Sequence, residues 1–288
     1  MKMNAKSINE KTKDMQYLFK DQNRGWLKEI LESKHLMLFL DCDGTLTPIA
    51  EAPAEAELSS ETRNILEKLK GCGSVEIAIV SGRGLADVKR LVGIKDIIYV
   101  GNHGFEIEGP AIKFESLATP RLKEVLRELS AKLEEVLKPI GGVIIEDKGL
   151  SLSIHYRKVT EKNIPFVEKT VYSVIRPYLS RKEILLGKGK MVIEVRPPLE
   201  WDKGKAIQWV LSQKQHTFPR EMIYPVSIGD DITDEDAFLA VSGHGLAVFV
   251  GQPRPSHAKY FLNDPKDVFQ FLNEILTLKS HGTVRHSN

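Results

Sequence analysis

Two cysteines, Cys42 and Cys72, are too few to form a disulfide framework in a chain of 288 residues, so a reducing, cytoplasmic setting is expected. No apolar run approaches the roughly 18 residues needed to span a bilayer, which argues against a membrane partner. Met1 to Lys20 mixes lysines with acids and has no continuous apolar stretch, unlike a signal peptide. The formal net charge of +2 exerts no global pull on nucleic acid or anionic lipid, so no nucleic-acid partner is expected. Repeats and low-complexity tracts are also missing. What remains is an ordinary globular composition, long enough for one large or two medium domains with real cores.

The most informative segment is Leu38-Phe39-Leu40-Asp41-Cys42-Asp43-Gly44-Thr45-Leu46. A short apolar run, read as a buried strand, ends in two carboxylates at i and i+2. Alternate strand residues share a face, so Asp41 and Asp43 can converge at the strand's carboxyl end, where open α/β sheets bind ligands. Two acids held together imply a cation between them or a shared proton. Cys42, facing the other way, is expected to pack as a small buried hydrophobe.

The surrounding pattern alternates strand and helix. Residues 14 to 33 read as a leading helix, and His35 to Leu40 as the first core strand. Ser59-Ser60-Glu61-Thr62 supplies cap chemistry for a helix carrying Ile65, Leu66 and Leu69 inward. Val75 to Val80 is a second apolar strand ending at Ser81-Gly82-Arg83, and a helix from Leu85 to Val92 leads to the strand Ile97 to Gly101. Repeated β-α-β units predict a doubly wound, Rossmann-like α/β core with a parallel sheet.

After Pro110 the order becomes α-β-β-α-β-β, with helices near Pro120 to Lys138 and Asn163 to Leu179. The strands are Gly142 to Asp147, Leu150 to Tyr156, Glu183 to Gly187 and Met191 to Arg196. That order predicts a small antiparallel sheet backed by two helices, an α+β cap inserted into the core. From Trp201 the βα pattern returns. Asp202-Lys203-Gly204-Lys205 opens a helix, the strand Met222 to Ile228 runs into Gly229-Asp230-Asp231, and Gly245 to Val250 and Pro265 to Leu278 complete the core. The expected division is a helical segment at 1–34, a core at 35–117 and 199–280, a cap at 118–198 and a polar tail at 281–288. The linkers near Leu117 to Pro120 and Pro197 to Glu200 imply opening and closing around a substrate.

Four strand or helix ends therefore carry polar groups: Asp41 and Asp43; Ser81; Lys203; and Asp230 and Asp231 with Asp234. Carboxylates gathered around one point suit Mg²⁺, which takes oxygen ligands. An ammonium from Lys203 and hydroxyl donors from Ser81 and Thr45 suit a phosphate above a carboxylate nucleophile. In the insertion, Glu146, Lys148, Arg157 and Glu194 can line one surface facing a hydroxyl-rich ligand, or form ordinary surface ion pairs.

Asp41-x-Asp43-Gly44-Thr45-Leu46, Ser81-Gly82-Arg83, Lys203 and Gly229-Asp230-Asp231-x-x-Asp234-Glu235 resemble the four motifs of the haloacid dehalogenase-like phosphatases. The resemblance implies an aspartyl-phosphate mechanism. Asp41 would be the nucleophile and Asp43 the acid and then the base. Mg²⁺ would be held by Asp41, Asp230 and the main-chain carbonyl of Asp43, with Asp234 in support. Ser81 and Lys203 would bind the phosphoryl group. Glu146-x-Lys148-x-x-Ser151, His155-Tyr156-Arg157 and Glu194-Val195-Arg196-Pro197, with Gly101-Asn102-His103-Gly104, resemble the trehalose-6-phosphate phosphatase subgroup. That implies a sugar-phosphate substrate gripped by Glu146, Lys148, Arg157 and Glu194, with Arg83, Asn102 and His103 facing the same cleft. Thr45, Lys190 and Asp231 join the expected substrate-binding set. It also implies the last step of trehalose biosynthesis and leaves open an association with a trehalose-phosphate synthase. A phosphatase of another glycosyl phosphate, such as sucrose 6-phosphate, and a non-catalytic sugar-phosphate sensor are the alternatives.

Overall fold

The computed structural model describes residues 15–115, 119–189, 191–214 and 223–282. It divides into two compact units. One holds the described parts of Met1–Ile49, Ala56–Phe114 and Asp202–Asn288; the other holds Ala50–Glu55 and the described part of Glu115–Trp201. None of the described helices is long and apolar enough to cross a membrane.

The larger unit is built on a sheet of nine described strands. In chain order they are β1 (Gln16–Tyr17), β2 (His35–Leu40), β3 (Val75–Val80), β4 (Ile98–Gly101), β5 (Glu106–Gly109), β6 (Ile112–Glu115), β11 (Ile223–Gly229), β12 (Leu246–Val250) and β13 (Tyr260–Leu262). Their spatial order is β1-β13-β12-β11-β2-β3-β4-β5-β6. Every pairing from β1 to β4 is parallel, and the chain reverses at β4–β5. A parallel sheet is covered on both faces, so its central strands are apolar throughout rather than alternating. In β2, Leu36, Leu38 and Leu40 enter one core with Leu66, Leu69, Phe271 and Ile275. Met37 and Phe39 enter the opposite one with Ile207, Val210 and Phe238. The helices supplying these contacts include α2 (Ser60–Lys70) and α8 (Pro265–Gly282) on the first face, and α6 (Lys203–Lys214) and α7 (Glu235–Val241) on the second. The expected cap at Ser59 forms: its hydroxyl accepts from Thr62 N at 3.1 Å.

Three details depart from the sequence expectation. The leading helix, α1, spans Asp21–Ser33 rather than 14–33, because Gln16 and Tyr17 pair as an edge strand with Tyr260 and Phe261. Aromatic packing of Tyr17 on Phe19 and Phe261 favours that extended form. The strands β5 and β6 form where no strand was expected. The last helix outruns its expected end at Leu278: α8 continues to Gly282, Lys279 is buried, and its ammonium donates to the carbonyls of Glu32 and Lys34 at the end of α1. Burial pulls that ammonium below its ordinary range.

The smaller unit has four described strands, β7 (Ile144–Asp147), β8 (Leu152–His155), β9 (Leu185–Gly189) and β10 (Val192–Arg196), in the antiparallel order β7-β8-β10-β9. Helices α4 (Pro120–Leu137) and α5 (Ile164–Ser180) supply Leu126, Leu129, Val167 and Val171 to a core that takes Leu152, Ile154, Ile193 and Val195 from the sheet. Thr119 caps α4, accepting from Leu122 N at 3.3 Å, with Pro120 in the first turn. The segment Ala50–Glu55 joins this unit through Lys158, whose ammonium lies 2.6 Å from Glu55 Oε1. The preceding Arg157 donates to the Ala50 carbonyl.

Candidate active site

The catalytic candidates of the larger unit collect at the carboxyl ends of β2, β3, β4 and β11. Immediately after β2 the chain makes a tight turn in which Gly44 N donates to Thr47 O and Thr47 N to Cys42 O. Gly44 has φ +86°, and a Cβ there would overlap the Asp230 carboxylate. Only glycine satisfies both conditions. This close approach sets Asp230 beside Asp41. Cys42 points the other way into the core, as expected, and burial pushes its thiol well up.

Lys203 arrives from the start of α6. Asp202 holds that helix end, its Oδ1 accepting from Lys205 N at 2.8 Å. Gly204 lets α6 approach α7 so closely that a Cβ would overlap the Asp236 carbonyl. The Lys203 ammonium then donates to Asp41 Oδ1 and Asp234 Oδ1, both at 2.7 Å. The second oxygen of Asp234 accepts from Asp231 N at 3.0 Å, while the Asp231 side chain caps the short turn Ile232–Asp234. Thus Asp231 braces Asp234.

Asp41, Asp230 and Asp234 are all buried, with one oxygen from each lying within 4.8 Å of the others. Three carboxylates against one ammonium leave an excess of buried negative charge, which a divalent oxygen-seeking cation fits. Burial raises the Asp41 carboxyl well above its ordinary range; Lys203 opposes the rise, and Asp234 and Asp230 add to it. Lys203 keeps its proton despite burial because Asp234 and Asp41 flank it. A nucleophilic carboxylate must be ionised, so a cation here would also prepare Asp41.

The loops after β2 and β3 also carry hydroxyl groups, Thr45 and Ser81. Thr45 is fully buried and its Oγ1 has no hydrogen-bond partner among the described residues. Ser81 accepts from Arg83 N at 3.1 Å, leaving its hydroxyl hydrogen to donate. The loop after β4 is tied to the loop after β3: Asn102 N donates to Arg83 O at 2.7 Å and His103 N to Ser81 O at 3.1 Å. Asn102 and His103 hold φ of 49° and 57°, a left-handed pair without glycine of the kind that gathers at functional sites. The His103 imidazole lies where a side chain at residue 82 would be, which explains Gly82. Arg83 turns to Asp43: Nε donates to Oδ2 and Nη2 to Oδ1, each at 2.7 Å.

In the smaller unit the register aligns Glu146 with Ser153, Ser153 with Glu194, and Glu194 with Gly187. Opposed residues share a face. Their neighbours Leu152 and Ile154 enter the core under the helices, so this row lies on the other face. Glu146 Oε2 is 2.9 Å from His155 Nε2 and 4.0 Å from Lys148 Nζ, and Glu194 pairs with Arg196. Gly187 keeps the row open, since a Cβ there would stand 3.2 Å from Arg196 Nε. The structure gathers Glu146, Lys148 and Glu194 here, while the Arg157 guanidinium is bonded to Ala50. Lys190 lies outside the described residues, as do Leu117 in the first linker, Met222 and the tail 283–288.

With this geometry in place, comparison with known proteins is decisive. The family model for trehalose-phosphatase matches residues 39–266, most of the chain. The chain belongs to the trehalose-phosphatase family. It is 35% identical over 268 residues to a trehalose 6-phosphate phosphatase of Zea mays, covering 86% of this chain and 72% of the other. The C-terminal domain of a C. albicans trehalose-6-phosphate phosphatase superposes with a TM-score of 0.75 at 26% identity, over 89% of this chain and 98% of that domain. A haloacid dehalogenase-like hydrolase from B. subtilis shares the fold, with a TM-score of 0.51 at 15% identity. The architecture is thus the haloacid dehalogenase-like one, a mostly parallel core with a separate antiparallel cap.

For this trehalose-phosphatase family member, sequence reasoning overlooked three groups that the structure puts in contact with candidate residues. Asp87 receives Arg83 Nη1 at 2.7 Å. Its position four residues after Arg83, at the start of a helix, was a usable signal. Arg196 pairs with Glu194 two positions away on one strand, where period-two alternation predicts a shared face. Ser153 is buried in the row between Glu146 and Glu194, with no partner for its Oγ among the described residues.

Proposed function

We propose that the protein hydrolyses trehalose 6-phosphate to trehalose and inorganic phosphate through an aspartyl-phosphate on Asp41. The observation that carries this reading is the buried junction of Lys203 with Asp41 and Asp234, with Asp230 alongside. Such an assembly has little use in stability, because burying it costs desolvation that an apolar cluster would avoid. It suits a phosphoryl group needing an anionic nucleophile beneath it and positive charge around it.

Lys203 engages Asp41 through Oδ1, and the other oxygen, Oδ2, serves as the attacking atom. It forms a bond to phosphorus as the bond from phosphorus to the sugar oxygen breaks, and that oxygen takes a proton from Asp43. A water oxygen then attacks phosphorus, passing a proton to Asp43. The Asp41–phosphorus bond breaks, phosphate leaves and Asp41 is restored. Lys203, Ser81 and Thr45 bind the phosphoryl oxygens. Asp41, Asp230 and Asp234, with the Asp43 carbonyl, would hold Mg²⁺, which would offset the phosphoryl charge. Glu146, Lys148 and Glu194 would read the disaccharide, because paired acceptors and donors on one face match adjacent hydroxyls.

The test is phosphate release from trehalose 6-phosphate, sucrose 6-phosphate and glucose 6-phosphate, each with Mg²⁺ and with a chelator. Trehalose 6-phosphate should give the highest kcat/KM, and chelation should abolish turnover. A higher value for another ester would overturn the sugar assignment, and full turnover under chelation the metal assignment.

A further inference from the structure

Arg83 was expected among the substrate-binding residues, yet its best-defined contacts are with acids of the protein itself. The edge formed by Nε and Nη2 is committed to both oxygens of Asp43, a fork-to-fork pair that fixes orientation as well as distance. The remaining terminal nitrogen, Nη1, donates to Asp87 Oδ2. Asp87 in turn pairs with Arg90 on the next turn of its helix. The Arg83 main chain is pinned on both sides, N to Ser81 Oγ and O to Asn102 N. Its side chain is only 8% exposed, whereas that of Asp43 is 38% exposed. A rigid, buried guanidinium therefore holds a carboxylate that faces open space, with a second carboxylate steadying the guanidinium from behind.

We infer that Arg83 is a positioning residue for Asp43, with Asp87 as its brace, and that this chain sets proton transfer to the leaving group rather than affinity for phosphate. The inference rests on the phosphatase function proposed above. Asp43 lies immediately before Gly44 in the turn after β2, bridged to Thr47, and among the described residues Arg83 is what orients its side chain. An acid left to rotate freely presents its proton to the sugar oxygen for a small part of the time, and misplacement by about 1 Å can cost roughly a hundredfold in rate. Lysine keeps the charge at residue 83 but offers one point donor in place of the planar fork.

The discriminating experiment compares two esters in wild type, Arg83→Lys and Asp87→Asn. One is trehalose 6-phosphate, whose alkoxide must be protonated to leave. The other is p-nitrophenyl phosphate, whose leaving group departs as a stable anion. The readout is kcat/KM, which covers steps only through formation of the phosphoenzyme, so the shared hydrolysis of that intermediate drops out. The ratio of kcat/KM for the sugar ester to that for the aryl ester should fall about 10- to 100-fold in Arg83→Lys and about threefold in Asp87→Asn. If Arg83 instead binds phosphate, both esters lose equally, through KM, and the ratio stays put; that result overturns the inference. Asp87→Asn leaves Arg83 in place, so an unchanged ratio there also counts against it should Arg83→Lys fail to fold. Failure of the functional proposal looks different: wild type itself would not turn over the sugar ester.

Discussion

The two units carry charge in opposite ways. In the larger one, Asp41, Asp230, Asp234 and Lys203 are all buried, and the ammonium bridges two carboxylates at equal distances. In the smaller one, Glu146 lies beside His155 and Lys148, and Glu194 pairs with Arg196 on a sheet face; the side chains of His155, Glu146 and Arg196 are between 21% and 25% exposed, while those of Glu194 and Lys148 are buried. A buried junction of this kind cannot lose a member cheaply, because the remaining charge stays desolvated. A partly exposed pair is worth little by itself and exchanges partners at small cost, which is the property wanted where hydroxyls must replace side chains as partners. The first arrangement is suited to chemistry that never varies; the second to recognition of one ligand among many.

The largest effect expected is on the buried side of that contrast. Asp41→Asn should lower kcat by at least about 10⁴-fold on every phosphate ester, since under the proposed mechanism it removes the nucleophile common to all. Comparable losses on trehalose 6-phosphate and p-nitrophenyl phosphate, measured by phosphate release, would confirm that the core does not distinguish leaving groups through this residue. Residual turnover above about 1% of wild type would remove Asp41 from that role.

Next comes the cation. Because burial raises the Asp41 carboxyl above its ordinary 3.8, the cation-free folded chain keeps a proton that the unfolded chain releases. The contribution of Asp41 to stability without metal is therefore fully present below that ordinary value and is lost as pH climbs through the raised one. A cation that takes the proton's place cancels the loss. Added Mg²⁺ should raise Tm by about 3 °C or more near pH 8 and by clearly less near pH 5, in thermal melts with and without chelator. An increment independent of pH would show that the metal does not engage the buried carboxylate.

A smaller and more selective effect belongs to the cap. Glu194→Ala should raise KM for trehalose 6-phosphate roughly ten- to a hundredfold, the range for one charge-assisted hydrogen bond lost, and leave p-nitrophenyl phosphate nearly unchanged. Equal changes for both esters would erase the distinction between the two units.

The same contrast explains how much could be read from the chain. Asp41, Asp43 and Asp230 each follow an apolar strand directly, so local pattern and the alternation of side chains were enough to bring them to one end of one sheet. The smaller unit's order of elements was also legible, because its helices and strands differ in hydrophobic period. What the sequence hides is lateral. Glu146, Ser153 and Glu194 meet only through the pairing of three strands, and a slip of one residue would send each to the other face. Arg83 and Asp43 are 40 residues apart, joined by the loops after β2 and β3. Two-residue β1 carries no periodic signal, so its pairing with β13 was invisible. Lys279 fell just past the expected end of the last helix because a lysine's charge is evident in sequence while the burial of its stem is not.

The finest test of the recognition face is Ser153. Its hydroxyl is buried, opposite Glu146 on one strand and Glu194 on the other, and Oγ has no partner among the described residues. A buried hydroxyl without a partner contributes nothing to folding, and replacing it with a methyl removes a desolvated group. Ser153→Ala should therefore leave stability unchanged or raise it by up to about 1 kcal/mol in denaturant melts. If the hydroxyl is kept for a sugar oxygen, the same change should raise KM for trehalose 6-phosphate about threefold, the worth of one neutral hydrogen bond. A loss of stability beyond about 1 kcal/mol would mean that the hydroxyl serves the fold. An unaltered KM would confine sugar recognition to the charged members of the row and deepen the division between a core that holds charge fixed and a cap that exchanges it.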